Sequence, residues 1–196
     1  VTETMGRRER KKAATHKALA DAALELFLER GYEDVGVREI AEAADVSVTT
    51  LFKHFPDGKV ALLFDKDDER EAGLRAAVRD RPAGQSVIEA LRREVAGDRV
   101  DRYRATPRFA QFMDLINSTP ALRDYTRRMW LRHEAALAEE IAVAAGLPED
   151  DAACAALAHF ALEAGILAHA RPDHEEALER IFDLLENGWK SVTGEG

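Results

Sequence analysis

The chain has 196 residues, 33% of them charged, a formal net charge of −9 and a single cysteine, Cys154. That length holds one sizeable core or two modest domains; the acidic balance argues against a nonspecific nucleic-acid coat, and a lone thiol gives no disulfide framework. No apolar run approaches the length needed to cross a bilayer and no cleavable apolar leader opens the sequence, which implies a cytoplasmic protein with no membrane partner.

The first predicted element lies in GRRERKKAATHKALADAALELFLERGY. Leu19, Ala23, Leu26 and Phe27 fall on one stripe of a helix, and Gly31 supplies its stop before Tyr32. Within residues 1–20, Arg7, Arg8, Arg10, Lys11, Lys12 and Lys17 stand against only Glu3 and Glu9. This reads as a basic arm suited to phosphates or a minor groove; the plain alternative is a solubilising terminus.

Next comes VREIAEAADVSVTTLFKHFPDGK, residues 37–59, which reads as two short helices and one tight turn. Ile40, Ala41 and Ala44 share a face of the first helix; Val48, Leu51, Phe52 and Phe55 share a face of the second. Asp45, Val46 and Ser47 form the turn, with Ser47 as N-cap of the second helix. Thr49, Thr50, Lys53 and His54 then point outward, where hydroxyls, methyls and an ammonium suit base edges and phosphates. This is a helix-turn-helix, and it makes double-stranded DNA the leading ligand.

Those residues carry a resemblance. AALELFLERGYEDV, VREIAEAADVSVTTLFKHF and PDGKVALLF closely resemble the head of the TetR family of transcriptional regulators. The resemblance implies an all-α protein: a three-helix DNA-binding head over 1–58 and a helical ligand-sensing and dimerisation bundle over 59–196. It implies that Val48, Thr49, Thr50, Lys53 and His54 face the groove and that Lys59 matches the phosphate-contacting lysine at the start of the fourth helix. With Arg7, Arg8, Arg38 and Ser47 these form the candidate DNA-contacting set. Two positions depart from the pattern: Gly36 stands where a capping threonine is common, and Asp57-Gly58 lengthens the turn before Lys59.

Beyond Val60 helices dominate. One helix is expected from about Lys59 to before Pro82; another from Ser86, with Glu89 completing a capping box, to about Arg104; a short apolar segment from Pro107; a long helix from Pro120 to about Ala145; and two more over about 150–170 and 173–190. The acidic excess sits mostly in this part, which keeps it off a duplex while the basic arm approaches. Phe109, Phe112, Met113, Ile116, Tyr125, Met129 and Trp130 are concentrated enough to line a pocket, with Arg123, His133 and Glu163 as polar points and Phe160 beside them; several of these also suit an ordinary core. The expected effector is a small apolar or amphipathic molecule. In the final helix pair, Leu157, Phe160, Ala161, Ala164 and Leu167 recur on one helix and Leu178, Ile181, Phe182, Leu185 and Trp189 on the other. The resemblance implies a four-helix homodimer interface there, although the same periodicity serves a monomer core.

An enzyme is the rival class. His16, His54, His133, His159, His169 and His174 form no close pair with metal-ligand spacing, and Cys154 with His159 five residues on does not share a helix face. No catalytic residue, metal or cofactor is therefore assigned. A helical dimeric or small-molecule-binding protein with no DNA role is the other alternative. The expected activity is ligand-responsive regulation of transcription, with repression at a palindromic operator favoured by the resemblance.

Overall fold

The computed structural model describes residues 6–97, 107–169, 171 and 173–193, and among them every regular element is helical. In chain order these are α1 (Arg7–Arg30), α2 (Val37–Ala43), α3 (Val48–His54), a 3-10 helix (Gly58–Phe64), α4 (Asp67–Arg79), α5 (Val87–Val95), α6 (Pro107–Ser118), α7 (Pro120–Ala145), α8 (Ala152–His169) and α9 (His174–Thr193). Local chemistry sets several ends. Gly31, at φ +87°, closes α1 and donates its N–H to the Phe27 carbonyl at 2.9 Å. The Ser86 hydroxyl accepts from the Glu89 N–H at 3.1 Å while the Glu89 carboxylate accepts from the Ser86 N–H at 2.9 Å, the expected capping box of α5.

Three expectations about elements change. The basic segment read as an arm ahead of the head is part of α1 from Arg7 onward; residues 1–5 lie outside the described residues. The helix expected from Lys59 begins instead as the 3-10 helix, with a turn at Asp65 and Lys66 before α4. Ala61, Leu62 and Leu63 are all buried, and three consecutive buried side chains do not fit the single apolar stripe of a surface α-helix. Finally α5 ends at Val95; its expected end near Arg104 lies outside the described residues.

The chain forms two compact units. The first comprises Val1–Asp67 and Ala110–Thr126, the second Asp68–Phe109 and Arg127–Gly196. In the first, Leu19, Ala23, Phe27, Ile40, Leu51 and Leu62 are essentially solvent-free and share a core with Ile116, Leu122 and Tyr125. Phe64 stacks on Tyr125 at 5.1 Å between ring centroids and meets Phe112 edge-on at 6.3 Å. This unit thus takes in more chain than residues 1–58. The α7 helix is unbroken, its residues 120–126 belonging to the first unit and the remainder to the second.

The second unit packs α4, α5, α8, α9 and most of α7 around Leu74, Leu91, Leu137, Ile141, Leu157 and Phe182. Ala158, Ala161 and Ala164, each 0% exposed, are the small residues that let α8 lie close against its neighbours. Arg92 of α5 ties α9 down from above, its guanidinium reaching Glu179, Asp183 at 2.9 Å and Glu186 at 3.5 Å while lying 5.9 Å from the Phe182 ring centroid.

The proposed interface set therefore divides. Leu157, Ala161, Ala164, Leu178 and Phe182 are consumed in the core of their own protomer, with Ile181 and Leu185 packed against it. Phe160 and Leu167 lie on the opposite face of α8, 53% and 55% exposed, beside Ile166, and Leu184 of α9 is 73% exposed. The Trp189 side chain lies outside the described residues. Helical periodicity detects both seams of a two-sided helix and does not assign either to one chain or two. It follows that Phe182→Glu will cost on the order of 3–5 kcal/mol of stability, the loss of a buried aromatic together with an unpaired buried charge. Calorimetry should show a collapsed unfolding transition rather than a folded monomer.

Candidate nucleic-acid interface

The two helices of the helix-turn-helix have seven residues each, too short to persist alone, so turn chemistry and burial must hold them. Asp45 occupies the left-handed region at φ 53°, which an aspartate tolerates better than most non-glycine residues. Around it the Val46 N–H donates to the Ala41 carbonyl at 2.9 Å and the Asp45 N–H to the Glu42 carbonyl at 3.0 Å, a Schellman ending for α2. Ser47 then caps α3, its hydroxyl accepting from the Thr50 N–H at 3.1 Å and lying 2.9 Å from the Thr50 hydroxyl. Leu51 and Phe55 seat α3 in the core at 0% and 3% exposure.

At the start of α2, Gly36 offers no capping side chain, but Glu39 reaches back to accept from the Gly36 N–H at 2.8 Å. Arg30 of α1 pairs with Glu39 at 2.8 Å and donates to the Asp34 carbonyl at 3.0 Å, tying the end of α1 to the start of α2. That backbone bond and Arg30 hold the Glu39 carboxyl below the ordinary range.

What α3 presents outward is Thr49, Phe52 and Lys53, all exposed, with Ser47 at its start and Arg38 exposed on α2. Phe52 corrects the sequence reading, which put it on the buried face. It is 45% exposed, and its ring lies 3.5 Å from where a Cβ on Gly58 would stand. A narrow stripe on a seven-residue helix buries Leu51 and Phe55 and leaves Val48 half-buried and Phe52 at its edge. Arg7 and Arg8 are exposed in the first turn of α1.

Three residues of the candidate set are partly committed within the head. Thr50 is half-buried and serves the Ser47 cap. His54 is half-buried, its Nδ1 shielded and without a hydrogen-bond partner, its ring 5.9 Å from that of His16. Burial, then the neighbouring His16, Lys12 and Lys53, pull the His54 pKa below the ordinary imidazole value. Lys59 folds inward: its ammonium donates to the carbonyls of Tyr32 and of Val35, the latter at 3.0 Å, and sits over the Tyr32 ring at 4.0 Å. Burial lowers its pKa and raises that of Tyr32.

His16 is the residue sequence reasoning passed over. Its ring stacks on Phe55 at 4.2 Å and 23°, and its Nε2 lies 3.1 Å from the Asp65 carbonyl, so it links α1 to the end of α3 and to the turn before α4. The signal was present: His16 lies four residues before Ala20 and three before Leu19, on the buried stripe of α1.

The candidate effector residues fall in both units. Phe112, Met113, Ile116 and Tyr125 pack in the core of the first unit, whereas Phe109, Met129, Trp130, His133, Phe160 and Glu163 belong to the second. Arg123 is exposed and donates to the Asn117 carbonyl near the end of α6. Cys154 is fully buried, and burial with the Asp151 carboxylate pushes its thiol up to about 11, so it carries no thiolate.

Against this geometry the family model described as bacterial regulatory proteins, tetR family, matches residues 19–65, and the model described as the MftR C-terminal domain matches residues 82–191. The chain belongs to the TetR family of transcriptional regulators. It is 36% identical over 154 residues to the HTH-type transcriptional regulator TcmR of Streptomyces glaucescens, covering 74% of this chain and 67% of that one. It is 31% identical over 127 residues to the HTH-type transcriptional regulator RutR of Escherichia coli, covering 63% and 58%. Among solved structures, the Thermus thermophilus repressor FadR in complex with lauroyl-CoA aligns at a TM-score of 0.53 and 28% identity, over 88% of this chain and 94% of its own. These relatives are transcriptional regulators, and among the described residues of this TetR-family chain no helix is long and apolar enough to cross a membrane.

Two outcomes follow for the head. Lys53→Ala should weaken duplex binding by about 1–3 kcal/mol if a base contact is lost, at an unchanged melting temperature, whereas Lys59→Ala should lower the melting temperature because two carbonyls lose their donor; paired binding titrations and melts separate them. The second concerns pH. Because the folded His54 pKa is depressed, the unfolded chain takes up its proton first, so the stabilising difference is present above the ordinary imidazole pKa and lost as pH falls from there toward the folded value. His54→Gln should flatten that part of the stability profile; an unchanged profile would show that another group titrates.

Proposed function

We propose that this TetR-family regulator is a repressor that occupies a palindromic operator as a homodimer and leaves it when a small apolar or amphipathic molecule binds the helical body. The observation that carries the DNA part is the outward face of α3, where Thr49, Phe52 and Lys53 stand exposed on a helix whose opposite side is locked by Leu51 and Phe55. Such a face places hydroxyl, methyl, aromatic and ammonium groups in a major groove, while Arg7, Arg8 and Arg38 supply phosphate contacts. Lys59 serves the same end indirectly, by fixing the loop that leads into α2.

The dimer part rests on Phe160, Ile166 and Leu167 of α8 and Leu184 of α9, large apolar side chains left in water by the core of the protomer. A second copy related by a two-fold axis covers them with its own equivalents and presents two α3 helices one duplex turn apart. The effector part draws on FadR, which binds lauroyl-CoA, a long apolar chain on a charged carrier. In this reading the ligand acts through the unbroken α7, whose first turns share a core with the recognition helix, and shifts the population toward a form in which the two heads no longer fit together.

Selection from random and genomic duplexes should return one palindromic family, bound with a steep salt dependence and with base discrimination at fixed salt. Phe160→Glu should move the sedimentation equilibrium toward a folded monomer and weaken operator binding in proportion, because one head makes only half the contacts. A tight dimer with full affinity in that variant would remove the α8 face from the interface. Absence of any selected sequence would remove the DNA reading.

A further inference from the structure

The second unit holds a partly buried cation that, among the described residues, no carboxylate pairs. Arg70 lies on α4, its Nε fully screened from solvent and without a hydrogen-bond partner, and among the described residues its guanidinium is within bonding reach of no carboxylate. The guanidinium carbon lies over the Trp130 indole of α7, 5.4 Å from the ring centroid. Trp130 in turn meets His133 edge-on at 5.9 Å, and His133 is 0% exposed. The carboxylate whose field reaches Arg70 is Glu94 on α5, but Glu94 is itself exposed and its Oε1 rests against Gly73, 3.2 Å from where a Cβ on that glycine would stand. Burial weakens the hold of Arg70 on its proton, in the direction expected of a desolvated cation.

Proteins seldom keep a shielded charge unpaired, because desolvation is uncompensated until a counter-charge arrives. A guanidinium seated over an indole also carries its N–H donors in a rigid fork that suits a planar, two-pronged acceptor. We infer that Arg70 is the anion-recognising group of the effector site, and that the effector carries an oxyanion, carboxylate or phosphate, on an apolar body that lies along the Trp130 ring. A cationic effector is excluded by charge, and a neutral one leaves the cost of Arg70 standing. This rests on the reading that the body senses a small molecule; it adds the chemical class and the residue that selects it.

The test uses the full chain and three probes that share one alkyl chain, decanoate, decyl phosphate and decanol, each below its micellar concentration. Decanoate or decyl phosphate should raise the melting temperature and change tryptophan emission, with the tighter of the two identifying the headgroup, while decanol binds at least about tenfold more weakly. Arg70→Met, which keeps the packing volume, should lose that discrimination and should melt at or above the unmodified protein when no probe is present, since it removes an unpaired cation. Arg70→Lys should retain attraction but not the two-pronged preference. Decanol equal to the oxyanions, no response to either oxyanion, or full oxyanion affinity in Arg70→Met would each overturn the assignment. So would equal, non-additive destabilisation by Arg70→Met and Glu94→Gln, which would make the two a structural pair. Operator titrations are read separately: oxyanion binding through Arg70 that leaves the operator complex intact would keep this site and sink the effector-responsive reading, and failure of the unmodified protein to bind any operator would sink the DNA reading alone.

Discussion

The seating of Leu51 and Phe55 is the constraint on which the head depends. A seven-residue helix has too few internal hydrogen bonds to survive in water, so α3 exists because these two side chains enter a core built by α1, α2 and the 3-10 helix. That core is not closed by the N-terminal residues alone. Ile116, Leu122 and Tyr125 complete it from α6 and α7, with Phe64 stacked on Tyr125. The stability of the recognition helix is therefore partly written in residues 116–125, far downstream of it in sequence, and the last of these lie on a helix that continues into the second unit.

Polar groups in the head divide by the same logic. Those that fix the scaffold have their donors engaged within it: Arg30 on Glu39 and Asp34, Lys59 on Tyr32 and Val35, Ser47 on Thr50. Those left with solvent alone are the ones with chemistry to offer a duplex, above all Lys53 and Thr49. His54 stands between the two groups, half-buried beside His16 and surrounded by cations that disfavour its charged form. A neutral imidazole there packs; a protonated one repels its neighbours.

Much of this was legible in the sequence because it is local. The end of α1 at Gly31, the turn at Asp45 to Ser47 and the capping box at Ser86 and Glu89 each depend on residues a few positions apart, and each forms as the pattern requires. The readings that changed all depend on what a helix packs against. An apolar stripe does not say whether Leu157 and Phe182 meet their own chain or a second copy, and the answer, their own chain, leaves Phe160 and Leu167 exposed on the other face. The run VALLF looked like the opening of a surface helix because its residues are good helix formers, but Ala61, Leu62 and Leu63 are buried on successive sides of a 3-10 helix. The inward turn of Lys59 was illegible for a similar reason, since the carbonyls it binds lie 24 and 27 positions away.

Two local costs sit at the places where this chain is proposed to act. Asp45 holds a left-handed backbone conformation in the turn that sets the angle between α2 and α3, and Arg70 holds a partly buried charge beside Trp130 that no carboxylate pairs among the described residues. Neither improves the stability of the isolated protomer: a glycine relaxes the first and an apolar side chain the second. The aspartate does so for a conformation that is present at all times, so its cost is constant. The cost at Arg70 differs in kind, because it disappears when an oxyanion arrives, and a cost that a ligand removes is a free-energy difference between two states of the protein. Such a difference is what a ligand needs in order to shift an equilibrium. The same guanidinium that weakens the free body is thus the element able to make its liganded form distinct.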